Sequence, residues 1–82
     1  MSVLTGIIEK IEEDKSFSKM EVTLKQPNNK FAFVDFRGDN RVWLETVQNG
    51  DTVQIAYELD GRISKASGTK FNNVIAKTLL KL

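Results

Sequence analysis

One segment of this chain alternates apolar and polar side chains residue by residue and two more set an apolar face against a mixed one, and a period of two is the signature of half-buried β-strands. Between Lys19 and Gln26, Met20, Val22 and Leu24 point one way, and Lys19, Glu21, Thr23 and Lys25 the other. Between Lys30 and Arg37, Ala32, Val34 and Phe36 share one face, while Phe31, Phe33, Asp35 and Arg37 share its reverse. Between Thr52 and Leu59, Val53, Ile55, Tyr57 and Leu59 fall on one side. A chain of 82 residues holds one domain, 1–82, with a marginal core, so a closed or nearly closed sheet serves it best.

Turn chemistry divides the rest. Val3 to Glu12 is rich in β-branched residues and reads as a first strand, with Gly6 marking a bulge or bend. Charged residues 12–16 form a loop, and Pro27-Asn28-Asn29 forms a hairpin turn. After Gly38, Asp39 is placed to cap a short helix from Asn40 to about Val47, which ends at Gln48-Asn49-Gly50-Asp51. Asp60-Gly61 starts a turn, Ser64 to Thr69 is a polar, basic loop tip, and Phe71 to about Leu80 is the last strand. Gly38, Gly50, Gly61 and Gly68 read as turn residues. Three strands, a short helix and two strands is the order of the OB fold, an all-β, five-stranded barrel. An SH3-like barrel and an α+β sheet with one packed helix are the competing architectures. The alternation predicts a core of Val22, Leu24, Val34, Phe36, Val53, Ile55 and Val74. Trp43 is expected to plug the open end of the barrel, and Tyr57 to belong to the core.

The composition narrows the chemistry. The chain has no cysteine and no histidine. Disulfides and thiolate–metal sites are therefore excluded, as is every acid–base arrangement built on imidazole. No other nucleophile or acid–base constellation is visible, so a binding module is expected, without catalytic residues, metal or small-molecule cofactor. No apolar run reaches the roughly 18–20 residues of a membrane span, and the first residues lack the pattern of a signal peptide. The expectation is a cytoplasmic protein with no membrane partner. Twelve Lys and Arg oppose eleven Asp and Glu, a net charge of +1. Residues 28–82 carry that excess, with eight basic against six acidic side chains, whereas residues 1–27 hold four against five.

The third strand carries the functional signal. Asp35 and Arg37 are too costly for a barrel interior, so their face must be the outer one. Phe31 and Phe33 therefore point outward beside a cation. In OB folds the outer surface of strands two and three carries the ligand. Exposed rings beside cations suit single-stranded nucleic acid, whose bases stack while its phosphates follow the charges. Two other readings stand beside this one. The same rings could form a protein interface or assembly module, or the 12–18 loop could cover them, with Phe17 packed on top. Lys15, Lys19 and Lys25 lie on the first loop or the outer face of strand two, and Lys30 at the second turn. Arg62, Lys65 and Lys70 lie on or beside the last loop.

Along nearly its whole length the chain resembles the single-stranded-DNA-binding protein family. The segments that carry the resemblance are Thr5-Gly6-Ile7-Ile8, Phe31-Ala32-Phe33-Val34-Asp35-Phe36-Arg37-Gly38, Val47 to Ile55, Leu59-Asp60-Gly61-Arg62 and Asn72 to Ala76. The family places a DNA-facing aromatic at the start of the third strand, where Phe31 stands, and another just before the glycine, where Arg37 stands. The resemblance implies single-stranded DNA as partner, a role as a replication or recombination accessory, and a homodimer or homotetramer. Its site residues become Phe31, Phe33, Arg37, Lys19, Lys25, Arg62, Lys65 and Lys70, with the 1–2 and 4–5 loops gripping the ligand. The chain stops at Leu82, right after its last strand, without the acid-tipped tail of typical bacterial members, and the first loop is short. It is thus most similar to compact, tail-less relatives of bacterial or phage type.

Overall fold

The computed structural model describes residues 2–82. Five strands close into a barrel: β1 (Ser2–Asp14), β2 (Lys19–Gln26), β3 (Lys30–Arg37), β4 (Thr52–Ile63) and β5 (Lys70–Lys81). The order around the barrel is β1-β2-β3-β5-β4, and β3 and β5 meet in parallel where Asp35 faces Ile75. A 3-10 segment, Gly38–Thr46, joins β3 to β4. This is the expected OB-type barrel with its helix in the expected place, wound as 3-10 turns. Among the described residues no helix is long and apolar enough to cross a membrane.

The alternation of β2, β3 and the first half of β4 translates directly into burial. Val22, Leu24, Val34, Phe36, Val53 and Ile55 are sealed in the core with Ile8, Ala76 and Leu79. Val74, expected among them, is only partly buried against it. At one end Leu44, from the 3-10 segment, plugs the barrel, and half-buried Trp43 packs beside it. Asn40 ties that segment to β5 by donating to the Ala76 carbonyl at 3.2 Å.

Several local details differ from the sequence reading. The first strand continues past Glu12 to Asp14, and only a 3-10 turn, Lys15–Phe17, separates it from β2. Asp14 caps that turn, its carboxylate accepting from the Ser16 amide. Asp39 caps nothing: the residue before the Gly38–Thr46 segment is Arg37, with no side-chain cap. A 3-10 start at Gly38 leaves Asp39 inside the first turn, past the capping position.

Gly6 is not the bulge; the register slips between Ile8 and Lys10. Gly6 serves a close approach instead, because a Cβ there would lie 2.8 Å from the Lys25 carbonyl oxygen. Nor is Gly61 a turn residue. It pairs with Asn72 inside a ladder that runs on to Ile63 and Lys70. The β4–β5 hairpin therefore extends as a two-stranded arm, and Leu59, expected on the core face, is exposed along it. Tyr57, at the base of the arm, is half-buried. The turn before β3 matches its reading, since Asn28 and Asn29 both adopt positive φ, which asparagine tolerates better than most residues.

Candidate nucleic-acid interface

Directly paired residues on neighbouring strands project to the same face, so the register maps the outer surface. Across β2 and β3, Lys25 stands opposite Phe31, Thr23 opposite Phe33, Glu21 opposite Asp35, and Lys19 opposite Arg37. Their inward neighbours fill the barrel, which fixes the two rings on the outside. Phe31 is 51% exposed and Phe33 is 58% exposed. The 1–2 turn does not cover them. Phe17 sits at 73% exposure, with Lys19 Nζ 5.7 Å from its ring centre. The rings are thus bare, and the reading in which the chain covers them itself is set aside.

The cations of this face divide into two groups. Asp35 is only 6% exposed even though it points outward. Arg37 donates to its carboxylate at 3.0 Å, and Lys19 lies 3.6 Å from it. A buried carboxylate left unpaired would be strongly destabilising, so both partners are committed to holding it. Arg62 makes a similar but more exposed pair with Asp60 at 3.0 Å, and Lys15 stands 4.0 Å from Glu13. Lys25, Lys30, Lys65 and Lys70 make no ion pair among the described residues.

Strand direction decides which of these gather. Because β3 and β5 run parallel, the start of β3 and the start of β5 lie at the same end of the barrel. The β2–β3 turn, with Lys30, and the tip of the arm, with Lys65 and Lys70, therefore project from that end together. Phe71 lies four residues before Ile75, as Phe31 lies four before Asp35, and it is also exposed. It pairs with Arg62 on the arm. Sequence reasoning left Phe71 unassigned; its alternation with Asn73 and Ile75 was the signal that places it on the same face. The structure brings Phe31, Phe33 and Lys25 together, sets Lys65 and Lys70 at their end of the barrel, and leaves Lys19 and Arg37 at the far end in a network of their own.

The surface so defined is that of an OB-type barrel with aromatic rings and free amines on its outer wall. Its backbone resembles a solved structure of the mitochondrial single-stranded DNA binding protein Rim1 of S. cerevisiae, with a TM-score of 0.72. The alignment covers 99% of this chain and 90% of that one, at 13% sequence identity, a level that establishes the shared fold. No family model matches the sequence, and no curated protein does.

Proposed function

We propose that this protein binds single-stranded DNA without strong sequence preference, on the outer face of β2 and β3. The observation that carries the reading is the pair of bare rings, Phe31 and Phe33, held rigidly on a strand whose other face is core. Stacking needs a flat apolar surface already fixed in place, and it tolerates any base because every base has a π-face. The free amines of Lys25, Lys65 and Lys70 stand to meet phosphates, and Arg62 to follow once it leaves Asp60. Lys19 and Arg37 contribute by keeping Asp35 neutralised at the edge of the site. The likeness to a single-stranded DNA binding protein supports the same reading, and a replication or recombination accessory is the role proposed with it. A titration of labelled oligo-dT tests it. Phe31→Ala is expected to weaken binding by about 1–3 kcal/mol at every salt concentration. Wild-type protein that ignores oligo-dT would leave the rings as a protein-assembly surface.

The protein also pairs with copies of itself, as a homodimer or homotetramer, through a second face. On β1, β4 and β5 the outward rows are Val3–Ala56–Thr78 and Thr5–Gln54–Leu80, followed by Ile7 beside Thr52 and Leu82. The Val3 and Thr5 rows carry no charged side chain on these three strands, and the Ile7 row meets one only at its edge, at Lys25 of β2; Val3, Ile7, Leu80 and Leu82 are exposed. A partner bearing charges would have to strand them against this face without a counter-ion. A second copy of the same uncharged face avoids that cost, which supports self-assembly over a foreign partner.

A further inference from the structure

The outer face of β1, β2 and β3 changes character along the strands. Ile7, Lys25 and Phe31 form one cross-strand row, and Lys10, Thr23 and Phe33 the next. Beyond them come Glu12, Glu21 and Asp35, then Asp14, Lys19 and Arg37. The first two rows contain both rings, and the one carboxylate beside them among the described residues of β1–β3 is that of Glu9, the exposed bulge residue between Ile8 and Lys10. The last two set four carboxylates against two cations, and both cations are spent on Asp35. Past β3 the row reaches apolar Ile75 and then Glu58, which Lys77 pairs at 3.5 Å, so the run of carboxylates is that of β1, β2 and β3, and it separates the rings from the 1–2 turn.

A phosphate chain laid along the full length of β2 and β3 would have to cross this row. The separation between adjacent strands is about 5 Å, well inside the screening length of about 8–10 Å at moderate salt. A phosphate over Glu21 would meet a carboxylate with no ion pair, whereas Glu12 is offset by Lys10 at 3.5 Å and Asp35 by Arg37 and Lys19. At the opposite end, Lys30, Lys65 and Lys70 extend the cationic half beyond the barrel, on the side from which both turns project.

We infer that single-stranded DNA on this protein is confined to the half of the face between the β2–β3 turn and the β4–β5 arm, and that the row Glu12–Glu21–Asp35 turns the phosphate chain away from the 1–2 turn. This rests on the proposed DNA-binding function and fixes where on that face the strand lies. The two loops flanking the face are then unequal: the 4–5 arm touches DNA, and the 1–2 turn does not.

Glu21 is the best point to test it, since it sits mid-row and makes no ion pair among the described residues. Affinity for a long labelled oligo-dT is measured against salt for the wild type, Glu21→Lys, Lys15→Ala and Lys65→Ala. Circular dichroism melting confirms that each variant is folded. Glu21→Lys is expected to bind roughly three- to tenfold tighter at about 50 mM salt, with a slope of log K against log salt steeper by about 0.7. Lys65→Ala should lose affinity at low salt, while Lys15→Ala stays within about twofold of wild type, because Lys15 lies beyond the acidic row. Unchanged affinity in Glu21→Lys, or a Lys15→Ala loss as large as that of Lys65→Ala, would overturn the confinement and leave DNA binding intact. Absence of wild-type binding would remove both.

Discussion

Two walls of this barrel expose apolar side chains, and they differ in what surrounds those side chains. On the β2–β3 wall the exposed groups are rings, with a free lysine directly opposite Phe31 and carboxylates further along the strands. On the β1–β4–β5 wall they are aliphatic, embedded among Thr5, Thr52, Gln54, Ala56 and Thr78, with Lys25 the charge at the edge where Ile7 meets β2. The first wall can satisfy a polyanion whose bases need flat partners. The second offers nothing to an ion and can be dried only by a surface as uncharged as itself. Exposure alone therefore does not define a function. The chemistry next to the exposed group does, and it predicts opposite responses to salt: sensitivity at the first wall and indifference at the second.

The largest expected effect removes what both walls share. Phe36 is fully buried at the centre of the core, behind the strand that carries Phe31 and Phe33. Phe36→Ala should cost about 3–5 kcal/mol of stability. Urea denaturation would show the loss, and both binding and assembly should fail together. A result in which one wall survives would mean that the two are not built on one core.

A charge placed in the uncharged wall should separate the two. Leu80→Lys would bury an unpaired ammonium in the proposed contact between copies, and dissociation to monomers should be visible by light scattering. Oligo-dT affinity per chain should change less than about threefold, which is under 1 kcal/mol. Loss of DNA binding on dissociation would show that the β2–β3 wall is incomplete without a second copy. The reciprocal experiment is Phe31→Ala, which should weaken binding and leave the mass unaltered. The smallest effect is expected from the arm. Lys65→Ala should reduce affinity mainly at low salt and flatten the salt slope by about 0.7, the share of one phosphate on single-stranded DNA.

The barrel was legible in the sequence because successive strand side chains point to opposite faces, and the charged positions show which face is outside. Val22, Leu24, Val34, Phe36, Val53 and Ile55 all lie where that rule puts them, and the rings of Phe31 and Phe33 are outside for the same reason. What alternation cannot reveal is how far a ladder continues once it leaves the core. Gly61 looked like a turn because glycine is common there, but cross-strand pairing with Asn72 keeps it extended, and the arm grows accordingly. The pairing of charges was equally hidden. Arg37 and Lys19 were placed on the correct face, yet only the register shows that they flank Asp35 and are engaged by it. Long-range pairing decides both points, and a linear pattern contains only local spacing.

The most direct test of the central claim is the equilibrium binding of labelled oligo-dT to wild-type protein across a salt series, followed by fluorescence anisotropy. The free lysines around the rings should produce a shallow slope of log K against log salt, about −1.4 to −2.1 for two or three phosphates at −0.7 each. Binding should persist, though weakened, at high salt, because stacking on Phe31 and Phe33 is not a charge effect. Failure to bind at about 50 mM salt with protein well into the micromolar range would contradict the account.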